Sequence, residues 1–137
     1  MRVLRVGFVG TRTREATSMT AFFRDVLGLE MLRDSPEWSV MRLPSGPMDY
    51  VEVYRDDFDD ERLCPSDVGL MVAFIVDDLD GAHAEVVAAG IEAGPIVWAA
   101  EAFGSSVYEG FGWFFVKAPD GNTYVIQQVA EAGDSSA

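Results

Sequence analysis

The chain has 137 residues, 49% hydrophobic and 24% charged, so it is long enough for one domain with its own core and too apolar for a disordered protein. Its 23 acidic and 10 basic side chains give a formal net charge of -13. That charge repels phosphate backbones and anionic lipid surfaces, which disfavours nucleic acid or membrane as a partner. Without a long apolar run or a leader-like N-terminus, we expect a cytoplasmic protein. Cys64 is the only cysteine, which excludes an internal disulfide and a zinc site of several thiolates.

The first half of the sequence predicts the order strand, helix, strand, strand, strand. Residues 3–10 alternate as a strand does, and the following TRTRE segment predicts a threonine N-cap. An apolar stripe at spacings of three and four residues then predicts a helix that ends at Gly28. The stripe consists of Met19, Phe22, Phe23, Val26 and Leu27. Short strands fit residues 29–33, 38–43 and 49–55, because turn-forming segments separate them.

The same order begins again after the acidic segment DDFDDERLCPSD. Residues 69–76 predict a buried strand, DDLD predicts a helix cap, and the second helix ends at Gly90. The stripe of this helix is Leu79, Ala82, His83, Val86 and Val87. Further strands fit residues 94–100, 104–110, 112–118 and 122–128.

The repeated order predicts an internal duplication. We expect module one at residues 1–56, an acidic linker at 57–68, module two at 69–129 and a disordered tail at 130–137.

Three stretches of the sequence, MTAFFRDVLGLE, VAFIVDDLDGAHAEVVAAGIE and FFVKAPDGNTYVIQQ, together resemble the vicinal oxygen chelate superfamily. This group includes glyoxalase I, ring-cleaving dioxygenases and bleomycin-resistance proteins. The resemblance implies an α+β fold in which two βαβββ modules form a curved mixed sheet around a cleft, and it implies a homodimer. In the metal-using members, the first and last strands of each module supply the ligands. Because this fold hosts unrelated activities, function depends on the residues at the site.

The residues at the ligand positions that the resemblance implies disfavour a metal. Residues 1–14 contain no His, Asp, Glu, Asn or Gln. Met71 stands where the second module would carry a histidine, and Val125 stands where it would carry a glutamate. Glu52 remains, and Gln127 could add a second oxygen. Since a catalytic metal keeps about three protein ligands, we predict neither a metal nor another cofactor.

The second half is rich in aromatic residues, and about half of them should point away from the helix. We therefore predict a cleft that binds a planar or cationic organic molecule, with Glu52 as its acidic contact and Glu109 as the candidate for a second one. His83 lies on a helix stripe, so we interpret it as a packed histidine with a local hydrogen bond. The candidate ligand-binding residues are Tyr50, Glu52, Tyr54, Met71, Trp98, Phe103, Tyr108, Phe111, Trp113, Val125 and Gln127.

Three functions are consistent with this pattern. The favoured hypothesis is a metal-independent binding protein, similar to the bleomycin-resistance branch, that sequesters a small organic ligand without transforming it. The alternative is a lyase, isomerase or dioxygenase that uses Glu52 as a general base or sole acidic ligand. The third is a structural or regulatory module whose cleft is filled by side chains.

Overall fold

The computed structural model describes residues 1–46, 49–58 and 69–130. Contacts within the chain divide it into two compact units. The N-terminal unit is Val6–Val72, and the C-terminal unit is Met1–Arg5 together with Ala73–Ala137. Most of the predicted linker, with Cys64, and the predicted tail from residue 131 onward lie outside the described residues.

The N-terminal unit contains a four-stranded mixed sheet and one helix. Strand β1 (Val3–Thr13) pairs in parallel with β4 (Tyr50–Arg55) through residues 8–13. Strand β3 (Trp38–Arg42) pairs antiparallel with β4 and with β2 (Glu30–Asp34). Helix α1 (Ala16–Ala21) continues as a π-helical turn, Phe22–Val26. The helix packs Met19 and Phe23 against a buried cluster of Met41, Val51 and Val53.

The C-terminal unit repeats this arrangement. Strand β5 (Gly69–Val76) pairs in parallel with β8 (Thr123–Gln128), and β7 (Gly112–Lys117) pairs antiparallel with β8 and with β6 (Val97–Trp98). Helix α2 (Leu79–Ala88) covers one side of the sheet. The buried cluster beneath it consists of Val76, Leu79, Ala82, Phe114 and Ile126. The predicted α+β class with mixed strand pairing is therefore confirmed.

The prediction for the first helix is only partly right. Glu15 occupies the N-cap position without a side-chain cap, whereas Thr13 accepts a hydrogen bond from the Glu15 amide at 3.0 Å. The amide of Leu27 donates to the carbonyl of Phe22 at 3.1 Å, which closes a π turn. Of the predicted stripe, Met19 and Phe23 pack against the core, whereas Phe22, Val26 and Leu27 are exposed.

Of the strands predicted for the second half, residues 94–100 are only partly right and residues 104–110 are wrong. Residues 94–100 contribute only the short β6, and the chain then forms helix α3 (Ala99–Phe103). Residues 104–110 contain a 3-10 turn, Ser106–Tyr108, in place of a strand. Gly104 ends α3 with a left-handed φ of 66°, and the Ser105 hydroxyl accepts from the Val107 amide to cap the turn. These local hydrogen bonds compete with strand pairing.

The remaining helix signals are confirmed. The Asp78 side chain caps α2 by accepting from the Gly81 amide at 3.1 Å. Gly28 and Gly90 follow the two main helices with positive φ angles of 73° and 78°. None of the described helices is long and apolar enough to cross a membrane.

Candidate functional site

The two sides of the N-terminal sheet differ because side chains alternate along β4. Val51 and Val53 pack on the side covered by α1. Glu52 and Tyr54 therefore project from the opposite side, which we call the Glu52 face. Gly10 of β1 lies beside Glu52 in the pairing register. Tyr50, at the start of β4, has the same strand parity and pairs with Phe8 of β1.

Glu52 is a partly buried carboxyl group. The hydroxyl of Tyr54 donates a hydrogen bond to its Oε1. Burial raises the pKa of Glu52 from its usual 4.5 to about 7, and the hydrogen bond from Tyr54 opposes this rise. Near neutral pH the group therefore exchanges a proton readily, which suits either a switchable charge or a general base.

The absence of a side chain at Gly10 makes room for its neighbours on the Glu52 face. A β-carbon at this position would lie 3.2 Å from the ring of Phe8 and 3.4 Å from that of Tyr54. It would also lie 3.4 Å from the terminal methyl of Met71. Because Gly10 pairs with Glu52, these aromatic and thioether groups lie beside Glu52 in the sheet, and burial leaves its carboxyl poorly solvated.

An aromatic cluster holds the ring of Tyr54 in place. Trp38 lies 6.2 Å from Tyr54 and 5.7 Å from Phe58, measured between ring centroids. The buried guanidinium of Arg12 donates to the carbonyl oxygens of Asp56 and Phe58, at 2.6 and 2.7 Å. Phe58 was assigned to the linker from the sequence, yet here it is a buried part of this cluster. The cluster fixes the ring whose hydroxyl reaches Glu52.

The C-terminal sheet also alternates between two sides. Phe114 and Ile126 pack beneath α2. Trp113, Val125 and Gln127 therefore lie on the other side, which we call the Trp113 face. Val125 is 2% exposed and pairs with Ala73 of β5 and Phe115 of β7. An apolar residue at position 125 thus stands among apolar neighbours.

Three aromatic rings form a group beside the Trp113 face. Phe103 meets Tyr108 edge to face at 5.1 Å and lies 6.3 Å from Trp113, measured between ring centroids. Phe103 and Tyr108 are 41% and 40% exposed. This group provides an aromatic surface that solvent reaches.

The other candidate residues of the C-terminal unit lie elsewhere. Trp98 packs against the hydrophobic cluster beneath α2, and Phe111 precedes β7 as a partly buried residue. His83 is partly buried, with Nε2 2.9 Å from the carbonyl oxygen of Gly94 and its ring edge-on to Phe114. The predicted local partner of His83 is therefore present.

The polar groups at the expected ligand positions do not fit a metal ion. On the Glu52 face, β1 contributes Phe8 and Gly10 beside Glu52, and neither of these two residues offers a metal ligand. On the Trp113 face, Val125 has no donor atom, and Gln127 offers a neutral amide. Within the described ranges, no three His, Cys, Asp or Glu side chains are grouped closely enough to hold a metal. Catalytic metals need about three such ligands.

Sequence reasoning named Glu52, Tyr54 and Met71 as candidate site residues but missed Gly10 and Arg12, which lie around them. Tyr54 follows Glu52 by two residues, and this spacing on a strand places both side chains on one face. Gly10 carried a weaker signal, since a glycine inside a strand often marks a close approach of another group. The role of Arg12 had no signal in the sequence, because its partners are backbone carbonyls of a distant segment.

No protein-family model and no curated protein matches the chain by sequence. Among solved structures, a glyoxalase/bleomycin resistance protein/dioxygenase superfamily member from Vibrio splendidus 12B01 is 21% identical, with a TM-score of 0.62 over 90% of this chain and 97% of that one. Methylmalonyl-CoA epimerase from Mycobacterium tuberculosis is 14% identical, with a TM-score of 0.66 over 98% of this chain and 93% of that one.

The Mn(II)-bound glyoxalase from Novosphingobium aromaticivorans is 20% identical, with a TM-score of 0.68 over 94% of this chain and 41% of that one. Identities this low show a shared fold and leave the activity open. The neighbours agree with the resemblance inferred from the sequence, and the chain has the fold of the vicinal oxygen chelate superfamily.

Proposed function

We propose that the protein binds a small organic molecule at the Glu52 face without a metal ion. The observation that carries this proposal is a single carboxyl group set in a wall of Phe8, Tyr54 and Met71. Such a surface offers apolar contact area together with one polar contact that orients a ligand. Side chains alternate along β4, so one acid lies among apolar groups. A single acid is too few ligands for a metal, and this supports binding of an organic molecule more than chelation.

The chemistry of this wall favours a planar, cationic ligand. An aromatic or heteroaromatic cation gains contact with the rings and donates a charge-assisted hydrogen bond to Glu52. Because the pKa of Glu52 is raised to about 7, a cation that binds near pH 6 must first displace its proton. We therefore expect the affinity to increase as pH rises through 7, with release of a proton on binding below that value.

A second function, proton-transfer catalysis, is favoured by the same raised pKa. A carboxylate with a pKa near 7 can remove a proton from a substrate at neutral pH and return it afterwards. Enzymes are among the structural neighbours, including an epimerase and a glyoxalase. In this alternative Glu52 is the base, and Tyr54 holds the carboxylate in position.

Calorimetric titration with a panel of aromatic cations and their neutral isosteres tests the proposal. We expect the wild type to prefer the cation, and we expect Glu52→Gln to weaken cation binding about tenfold or more while it changes neutral binding little. Glu92→Gln, which alters an exposed carboxylate of the C-terminal unit, is the matched control. Equal binding of cation and neutral isostere would contradict the role of Glu52.

Two further measurements separate the alternatives. Metal analysis of the purified protein should find no stoichiometric metal, and added divalent ions should not change ligand affinity. Loss of turnover in Glu52→Gln with ligand binding retained would favour catalysis over sequestration.

We also propose that the protein is a cytoplasmic homodimer. Light scattering tests the dimer, and cell fractionation tests the location.

A further inference from the structure

A buried arginine lies beside Tyr54 on the Glu52 face. Arg12 of β1 is 5% exposed and pairs with Tyr54 of β4 in the parallel register. Two positions earlier on each strand, Gly10 pairs with Glu52, so both pairs lie on one side of the sheet. Trp38 of β3 pairs with Tyr54 from the other strand that flanks β4. Arg12, Tyr54 and Trp38 therefore form a row across three strands, next to Glu52.

Phe58 packs against two rings of this row, and Arg12 binds the backbone that carries it. The Phe58 ring lies 5.7 Å from Trp38 and 6.4 Å from Tyr54, measured between centroids. Nη2 of Arg12 donates to the carbonyl oxygen of Phe58 at 2.7 Å and to that of Asp56 at 2.6 Å. These hydrogen bonds tie β1 to the segment that follows β4. The position of the Phe58 ring therefore depends on Arg12.

The hydroxyl of Tyr54 is the last link in this series of contacts. It donates to Oε1 of Glu52, and the residue is 6% exposed. Among the described residues, Glu52 has no other hydrogen-bond donor at its carboxyl group. Because a hydrogen bond weakens steeply with distance and angle, the ring must stay in place for this bond to persist. Phe58 meets the Tyr54 ring edge to face, and this contact limits its movement.

We propose that Arg12 is a positioning residue of the Glu52 site. Arg12 holds the segment of Phe58, Phe58 holds the Tyr54 ring, and the Tyr54 hydroxyl holds the carboxyl group. This inference rests on the proposed function for the role of Glu52 as the ligand contact. A carboxylate that is already fixed loses less rotational freedom when a cation binds, so the arrangement increases affinity for cations. An arginine with a purely structural role would stabilise the fold without any effect on Glu52.

A double-mutant cycle on the full chain tests the role of Arg12 without any ligand. The readout is the titration midpoint of Glu52, followed by the NMR signal of its carboxyl carbon. Arg12→Met removes the guanidinium but keeps an apolar stem, so it frees the segment of Phe58. The hydrogen bond from Tyr54 lowers the pKa of Glu52, so its loss should raise the midpoint by about 0.5 to 1 on the pH scale. In the Tyr54→Phe background, Arg12→Met should add no further rise.

The loss of a positive charge needs its own control, since a nearby cation lowers the pKa of a carboxyl group directly. Arg2→Met removes an exposed positive charge of the C-terminal unit and should leave the midpoint unchanged. A direct effect of the Arg12 charge would persist in the Tyr54→Phe background, whereas an effect through Tyr54 disappears there. If Arg12→Met does not fold, Phe58→Leu makes the same comparison, because it removes the ring contact without a change of charge.

Ligand titration at about pH 9, where Glu52 is ionised, links this role to binding. Arg12→Met should weaken binding of benzamidinium about two- to fivefold and leave binding of its neutral isostere, benzamide, unchanged. The proposal would be overturned by a midpoint that is unchanged or lowered in Arg12→Met, by an equal rise in both backgrounds, or by unchanged benzamidinium affinity. If the wild type binds none of the aromatic cations, the proposed function fails, while the cycle still decides whether Arg12 positions Tyr54 on Glu52.

Discussion

Replacing Glu52 with glutamine should stabilise the protein above pH 7 and remove the contribution of Glu52 to the pH dependence of its stability below that value. The pKa of Glu52 is about 7 in the folded chain and near 4.5 when the residue is solvated. Between these values, the folded chain holds a proton that the unfolded chain has released. The free energy of unfolding therefore falls as pH rises, and the loss is complete above the folded pKa.

The size of the effect follows from the difference between the two pKa values. That difference corresponds to about 3 kcal/mol of unfolding free energy lost between acidic and alkaline pH. The figure is an upper limit, because Glu52 keeps partial contact with solvent. The glutamine side chain of the Glu52→Gln variant carries no charge and still accepts the hydrogen bond from Tyr54. The difference in stability between the variant and the wild type should therefore be smallest near pH 5 and should grow in favour of the variant up to about pH 8.

Urea unfolding followed by tryptophan fluorescence, at several values between about pH 5 and 9, measures this difference. Glu109→Gln serves as the control, because an exposed carboxylate stays solvated in both states and should leave the profile unchanged. Parallel profiles for the wild type and Glu52→Gln would refute the reasoning. So would a variant that is less stable than the wild type at alkaline pH.

Two further predictions concern the neighbours of Glu52. Tyr54→Phe removes the hydrogen bond that lowers the pKa of Glu52, so the midpoint of the pH-dependent stability change should move to higher pH; an unchanged midpoint would contradict the bond. Gly10→Val places carbon atoms against the rings of Phe8 and Tyr54, so we expect a loss of about 1–3 kcal/mol in urea unfolding; wild-type stability would show that these rings move aside without cost.

The repeated order of elements could be predicted because each strand has one buried side. Val51 and Val53 alternate with Glu52, and this period of two assigned the three side chains to the correct faces. The alternation of side chains along β8 likewise predicted that Val125 lies on the side of the C-terminal sheet that α2 does not cover. Burial on one side of a sheet constrains every second residue, so the signal is strong even in a short strand.

The missed elements depend on local geometry that the apolar pattern does not encode. The helix that begins at Ala16 changes to a π turn at Phe22–Val26, and Phe22 and Val26 are exposed although their spacing fits the stripe. The segment 99–108 has a weak alternation that resembles a strand. In the structure, Gly104 provides the positive φ angle that ends a helix, and the Ser105 side chain caps the turn that follows. In this segment, local hydrogen bonds at the helix end and the turn outweigh the strand-like alternation of apolar residues.

The candidate site depends both on residue spacing along one strand and on the pairing of distant strands. The spacing of Glu52 and Tyr54 already places an acid and a hydroxyl on one face, but only the parallel register of β1 and β4 brings Gly10 beside them. Parallel pairing joins segments about forty residues apart, and its register leaves no local mark in the sequence. A β-carbon at Gly10 would press on the ring of Phe8, so the glycine leaves space for this ring next to Glu52. Spacing along β4 therefore predicts the face of Glu52 and its neighbour Tyr54, whereas the burial that raises its pKa depends on which strands pair.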